Sequence, residues 1–124
     1  ALALSFFKKH FPEYYVTTFQ CESWLLDPQL ERYLPPETNL IRFLREFYLL
    51  PLPYGSNAGV ARFVYNKVDM DLSTASRRST LEKAIVDHVR QGGHWREIGG
   101  VIFPEDFVWG SQAYRKSPGL YPNC

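Results

Sequence analysis

The run Phe19-Gln20-Cys21-Glu22-Ser23-Trp24-Leu25-Leu26-Asp27-Pro28 begins as a strand and ends as a turn. Side chains alternate along a strand, so Thr17, Phe19, Cys21 and Ser23 face one side, and Val16, Thr18, Gln20, Glu22 and Trp24 the other. Neither face is cleanly apolar, so packing alone does not account for the composition. Pro28 has no amide proton for a ladder and biases Asp27 away from helical angles. Asp27 is placed to cap a short helix with Pro28 at its first position. The reading is a central strand that ends in a polar corner.

Upstream, Leu4, Phe7 and Phe11 fall at helical spacing and Phe6 widens the stripe, which predicts a helix over residues 2–11. Lys8, Lys9 and His10 suit its C-terminal dipole, and Pro12 ends it. Tyr14 to Leu25, rich in Tyr, Val, Thr, Phe and Trp, reads as the strand. Downstream, Pro28 to Leu34 reads as one or two helical turns. After Pro35-Pro36, Thr38 or Asn39 can cap a helix that runs to about Arg45, followed by a strand through Phe47-Tyr48-Leu49-Leu50.

Pro51 to Gly59 is a loop by its Pro, Gly, Ser and Asn content. Gly55-x-x-x-Gly59 lacks the Lys-Ser/Thr of a phosphate loop, so turn formation is the simpler role. Val60, Phe63 and Val64 suggest a short helix, and Asp69 to Thr74 a polar loop without the Gly and Glu of a calcium loop. The clearest helix starts at Ser79 or Thr80, with Leu81, Ala84, Ile85, His88 and Val89 on one face, and ends at Gly92-Gly93. Gly99-Gly100 opens a strand through Val101-Ile102-Phe103. Alternating strands and helices predict an α/β or α+β fold: a small mixed sheet with helices packed on it, in one domain over residues 1–124.

Composition narrows the function classes. The 124 residues are 45% apolar, 16% aromatic and 22% charged, and 14 basic against 13 acidic residues leave a formal charge of +1. No basic stripe marks a nucleic-acid partner, and no apolar run is long enough to span a membrane. Residues 1–9 lack the pattern of a signal peptide. They start without a helix cap, as in a piece of a longer protein. Cys21 and Cys124 form no disulfide framework and read as reduced thiols in a cytoplasmic protein. With His10, His88 and His94 they show no metal-ligand spacing, so no metal is expected.

The chemistry-bearing candidates are few. Glu22, beside Trp24 on the strand, could act as a general base or be merely solvent-facing. Cys21 could be a nucleophile or a small apolar filler. His94 follows a glycine pair and precedes Trp95, which suits an active-site loop as well as a plain helix end whose Trp packs back. His88, on an apolar helix face, reads as a core histidine. Tyr114 could donate a proton or be half-buried.

Several stretches together carry a family resemblance: Phe6-Phe7-x-x-His10-Phe11-Pro12-Glu13, Cys21-x-Ser23-Trp24-Leu25-Leu26-Asp27-Pro28-Gln29-Leu30, Tyr33-Leu34-Pro35, Asn39-x-x-x-Phe43, Leu81-x-x-Ala84-x-x-Asp87-His88 and Gly92-Gly93-x-Trp95. The chain resembles the C-terminal domain of two-domain GNAT-like acyltransferases, most specifically in Ser-Trp-Leu-Leu-Asp-Pro. The resemblance implies a GNAT-like half that pairs with an N-terminal half or a second copy. It also implies acyl transfer from acyl-coenzyme A, as co-substrate, to a small-molecule amine. The usual pyrophosphate motif of such enzymes, Arg/Gln-x-x-Gly-x-Gly/Ala before a helix, is absent; Arg90-x-x-Gly93 matches its first half at a helix end. On this reading the thioester lies against Gln20, Cys21 and Ser23, Glu22 or His94 is the base, and Tyr114 the acid. The other reading is a non-catalytic α/β binding or interaction domain that keeps the fold without binding coenzyme A.

Overall fold

The computed structural model describes residues 2–50, 52 and 57–106. Among the described residues, four α-helices, α1 (Leu2–His10), α2 (Asn39–Leu44), α3 (Ala58–Tyr65) and α4 (Thr80–Arg90), accompany a sheet of β1 (Phe19–Ser23), β2 (Tyr48–Leu50) and β3 (Ile98–Ile102). Short 3₁₀ turns at Trp24–Leu26, Pro28–Arg32, Leu72–Thr74 and Pro104–Asp106 connect them. The α/β architecture, the extent of α1, and the helix-to-strand change near Arg45 agree with the sequence reading.

The expectation of a central strand in the first half of the chain is corrected. The sheet order is β1-β3-β2, so β3 is central and β1 lies at an edge of the sheet among the described residues. Both pairings are antiparallel, with Cys21 opposite Gly100 in one and Leu49 opposite Gly100 in the other. The physical reason lies in the glycines. A Cβ on Gly100 would sit 2.7 Å from Leu26 Cδ1 and 2.8 Å from Phe47 Cδ1. Only a residue without a side chain lets these two groups close over the middle of β3. The strand is also shorter than Tyr14 to Leu25, because Trp24 already belongs to the first 3₁₀ turn.

The corner after β1 is closed by Asp27, which is fully buried. Its Oδ1 accepts from the Gln29 amide at 3.0 Å, the expected cap of the turn behind Pro28. Its Oδ2 accepts from Gln29 Nε2 at 2.9 Å and from the Arg96 amide at 2.8 Å. One carboxylate thus joins the turn after β1 to the segment that enters β3. Around it, Trp24, Leu30, Ile41, Val60, Ile85 and Trp95 form the main apolar cluster. Leu26, Phe47, Ile98 and Ile102 form a second under the sheet, with Cys21 packed against it. Gly59 is buried in α3, where a Cβ would meet Glu97 Oε1 at 2.8 Å, so close packing accounts for it; Gly55 lies outside the described residues.

Two helix ends follow their sequence signals. Ser79 Oγ accepts from the Glu82 amide at 3.1 Å to start α4. Gly92, at φ +83°, ends it, with the Gly92 amide bonded to the Val89 carbonyl and the Gly93 amide to that of His88. Thr38 occupies the cap position of α2, but its hydroxyl donates to the Pro35 carbonyl at 2.8 Å instead of accepting a helix amide. Helix α1 buries none of its residues. Its aromatic side chains pack on one another, Phe6 tilted on His10 at 4.6 Å and edge-on to Phe7 at 5.7 Å between ring centroids.

Asp27→Ala removes the acceptor of three N–H groups. At about 1–3 kcal/mol for each buried donor left unpaired, the variant is expected to lose about 3 kcal/mol or more in urea unfolding. Asp27→Asn, which keeps one acceptor oxygen, should lose less. Trp24, 5% exposed, should cost about 3–5 kcal/mol on truncation to Ala. Wild-type stability in Asp27→Ala would show that the corner does not depend on the carboxylate.

Candidate functional site

The last turn of α4, the Gly92–Arg96 loop and the turn at Pro28–Arg32 enclose a cleft of about 620 Å³. Each wall is fixed by local chemistry. Asp27 caps the turn that carries Arg32, and the same carboxylate holds the backbone of Arg96. Gln29 Nε2 also donates to the His94 carbonyl at 2.9 Å, which pins the loop beyond the glycines.

His88 forms the floor. It is buried, and its ring lies against Trp95 at 4.6 Å and edge-on to Tyr33 at 5.7 Å between centroids. Nε2 lies 3.3 Å from the His94 carbonyl oxygen and Nδ1 3.1 Å from the Tyr33 hydroxyl. A carbonyl only accepts, so Nε2 donates to it, and Nδ1 is then free to accept from Tyr33. The Gln91 amide oxygen is 3.5 Å from the same hydroxyl, and a single O–H proton favours the shorter contact. A Cβ on Gly93 would overlap the imidazole, so the second glycine of the pair is what lets the loop cross the ring. Burial pushes the Tyr33 hydroxyl above its ordinary value, with Arg32 opposing the rise and Asp87 adding to it. It therefore carries its proton at neutral pH.

The cleft is cationic. Arg32 and Arg96 line it, no carboxylate does, and neither guanidinium has a hydrogen-bond or ion-pair partner among the described residues. Two other arginines are closed by acids, Arg45 Nε on Glu31 at 3.0 Å and Arg77 on Asp87 at 2.6 Å, and Arg90 Nε donates to the Ser73 carbonyl at 2.8 Å.

Of the sequence candidates, His94 lines this cleft and is exposed. Glu22 does not line it; it is exposed on β1, opposite Gly99. Tyr114 lies outside the described residues. Gln20 is exposed, and Ser23 caps the first 3₁₀ turn, its Oγ accepting from the Leu25 amide at 3.2 Å. Cys21 is half-buried, and burial pushes its thiol up, which makes it a poorer nucleophile and fits the filler role. His88 is the hydrogen-bonded core histidine that its helix face implied. Tyr33, Arg32, Gln91 and Arg96 were not legible as site residues. The available signal was the glycine pair four residues past an inward His, which marks a loop crossing a ring. Among the described residues no group of three or more His, Cys, Asp or Glu side chains is placed to hold a metal ion.

The model of the GNAT-like C-terminal domain matches residues 1–102. The chain belongs to this family. Among solved structures, an acyltransferase in complex with decanoyl-CoA is 36% identical, with a TM-score of 0.72, over 83% of this chain and 33% of that one. Acyltransferase complexes with CoA and 10C-teicoplanin, and with decanoyl-CoA and teicoplanin, are each 34% identical at a TM-score of 0.72, over 82% of this chain and 33% of theirs. The GNAT-like domain thus spans about a third of the length of these relatives. Among curated proteins none matches it significantly.

Tyr33 links the cleft to alkaline stability. Burial raises its folded pKa above the ordinary tyrosine value, so the folded state holds the proton more tightly than the unfolded state does. The contribution is present below the unfolded value and is lost as pH rises through the folded one. Melting temperatures between about pH 8 and 11 should fall less steeply at the alkaline end for Tyr33→Phe than for wild type. Parallel curves would remove Tyr33 from the alkaline linkage.

Proposed function

We propose that this GNAT-like domain serves a cytoplasmic N-acyltransferase, which moves an acyl group from acyl-coenzyme A to an amine. The observation that carries the reading is the 34–36% identity to acyltransferases solved with CoA or decanoyl-CoA. In the reaction the amine nitrogen bonds to the thioester carbonyl carbon, the C–S bond breaks, and the acceptor proton ends on the departing thiolate. A base must free the amine lone pair, donors must hold the oxygen as charge develops, and an acid must meet the sulfur.

The chain offers groups for each role. Among the described residues β1 is bounded by β3 on one side only. Alternate amides of an antiparallel edge strand point away from its neighbour, so amides in the Gln20, Cys21 and Ser23 stretch are available to a carbonyl. His94 is the better-supported base, since it lines the cleft and is exposed. Glu22 is the second, on the same strand as those amides, and Tyr114 is the proposed acid.

The remaining two-thirds of such an enzyme would cover α1. Leu2 is 89% exposed and Tyr15 91%, and Phe6, Phe7, Phe11 and Tyr14 are exposed beside them. An apolar face of this kind calls for a covering surface, here the other half of the polypeptide or a second copy. A non-catalytic domain that keeps the fold is favoured by one observation, that Glu22 does not share the cleft of His94.

Turnover in the full-length protein tests the reading, with thiol release from decanoyl-CoA as the signal and a primary amine as acceptor. Glu22→Gln or His94→Ala is expected to lower kcat by about 100-fold or more if it removes the base, and Tyr114→Phe to slow the step that frees the thiol. Unchanged turnover in both base variants would exclude Glu22 and His94. A full-length protein that neither binds decanoyl-CoA in calorimetry nor releases thiol would support the non-catalytic reading instead.

A further inference from the structure

We infer that the cleft between α4 and the Pro28–Arg32 turn is an anion site, in which Arg32 and Arg96 together hold a phosphoryl-class group. Both side chains line one cleft without a carboxylate, and neither has a partner among the described residues. Two guanidinium groups on one cleft attract a ligand of opposite sign. Guanidinium groups match phosphate oxygens in pairs, with a planar fork that a lysine lacks. The Tyr33 hydroxyl and the Gln91 side-chain amide add neutral polar groups on the same wall.

The backbones under both arginines are preorganised by one group. The Asp27 carboxylate caps the turn bearing Arg32 and receives the Arg96 amide, and it is itself fully buried. The two anchor points therefore keep a set separation without depending on the ligand, which lowers the ordering cost of binding. The cleft volume of about 620 Å³ exceeds what one phosphate fills and suits a phosphoryl group attached to a larger molecule. That molecule is either coenzyme A, through its phosphates, or an acceptor that carries an anionic group. The site rests on the charge and geometry of the cleft and does not require acyl transfer.

Calorimetry of the full-length protein with inorganic pyrophosphate tests the site. Arg32→Gln and Arg96→Gln are each expected to weaken binding about 10-fold, and the double variant to abolish it, with unchanged unfolding midpoints. Arg42→Gln, which removes an exposed arginine outside the cleft, should leave the affinity as it is. Titrations with CoA, dephospho-CoA and pantetheine then separate the two sources. Weakened CoA binding with unaltered pantetheine binding assigns the anion to the cofactor. Unaltered CoA binding beside weakened pyrophosphate binding assigns it to the acceptor. Absence of pyrophosphate binding in the wild type, wild-type affinity in both cleft variants, or an equal loss in Arg42→Gln overturns the inference. Each of these outcomes is read without turnover, so it is separable from failure of the acyltransferase reading.

Discussion

The buried carboxylate of Asp27 sets the geometry on which the rest depends. Taking an ionised carboxylate out of water is costly unless hydrogen bonds replace the lost hydration. Here three N–H groups do so, two from Gln29 and one from Arg96. The Gln29 amide is two residues away and could be satisfied in any local turn. The Arg96 amide is 69 residues away, and this bond ties the corner after β1 to the entry of β3. The Ser-Trp-Leu-Leu-Asp-Pro run is therefore more than a strand stop. It also anchors, through one carboxylate, the turn that ends at Arg32 and the backbone of Arg96.

Close approach at two glycines completes the arrangement. At Gly100 the missing side chain admits Leu26 and Phe47 over the central strand, and at Gly93 it admits the imidazole of His88 beneath the loop. The second contact couples core to cleft. Trp95, fully buried, donates its ring N–H to the Ile85 carbonyl at 3.3 Å and stacks with His88. His88 in turn meets the His94 carbonyl and the Tyr33 hydroxyl, so the loop carrying His94 is anchored from beneath although its ring is exposed. A polar cleft built on packed elements in this way holds its groups more firmly than a free loop would.

Two surfaces point outward from this core with different chemistry. Helix α1 shows aromatic side chains to solvent and buries none of its residues. The cleft shows arginines and a histidine. As a GNAT-like C-terminal domain, the chain covers 33% of its structural relatives.

The sequence by itself determined the local features. Helical spacing placed α1 and α4, with Ser79 or Thr80 marking the start of α4 and Pro12 the end of α1; Asp27-Pro28 placed the turn; Gly92-Gly93 placed the end of α4. The apolar content promised a core, and the motif around Trp24 pointed to the family. These features were legible because each arises from neighbours within a turn or two, where backbone angles and single hydrogen bonds decide. The order of the strands was not, because the choice between β1 and β3 for the centre depended on which strand could be overlain by Leu26 and Phe47. Nor was the cleft, since Arg32 and Arg96 are far apart in the chain and look like ordinary surface charges. Only the tertiary structure brought them together, through a buried carboxylate whose long-range partner is a backbone amide, and an amide leaves no mark in the residue types.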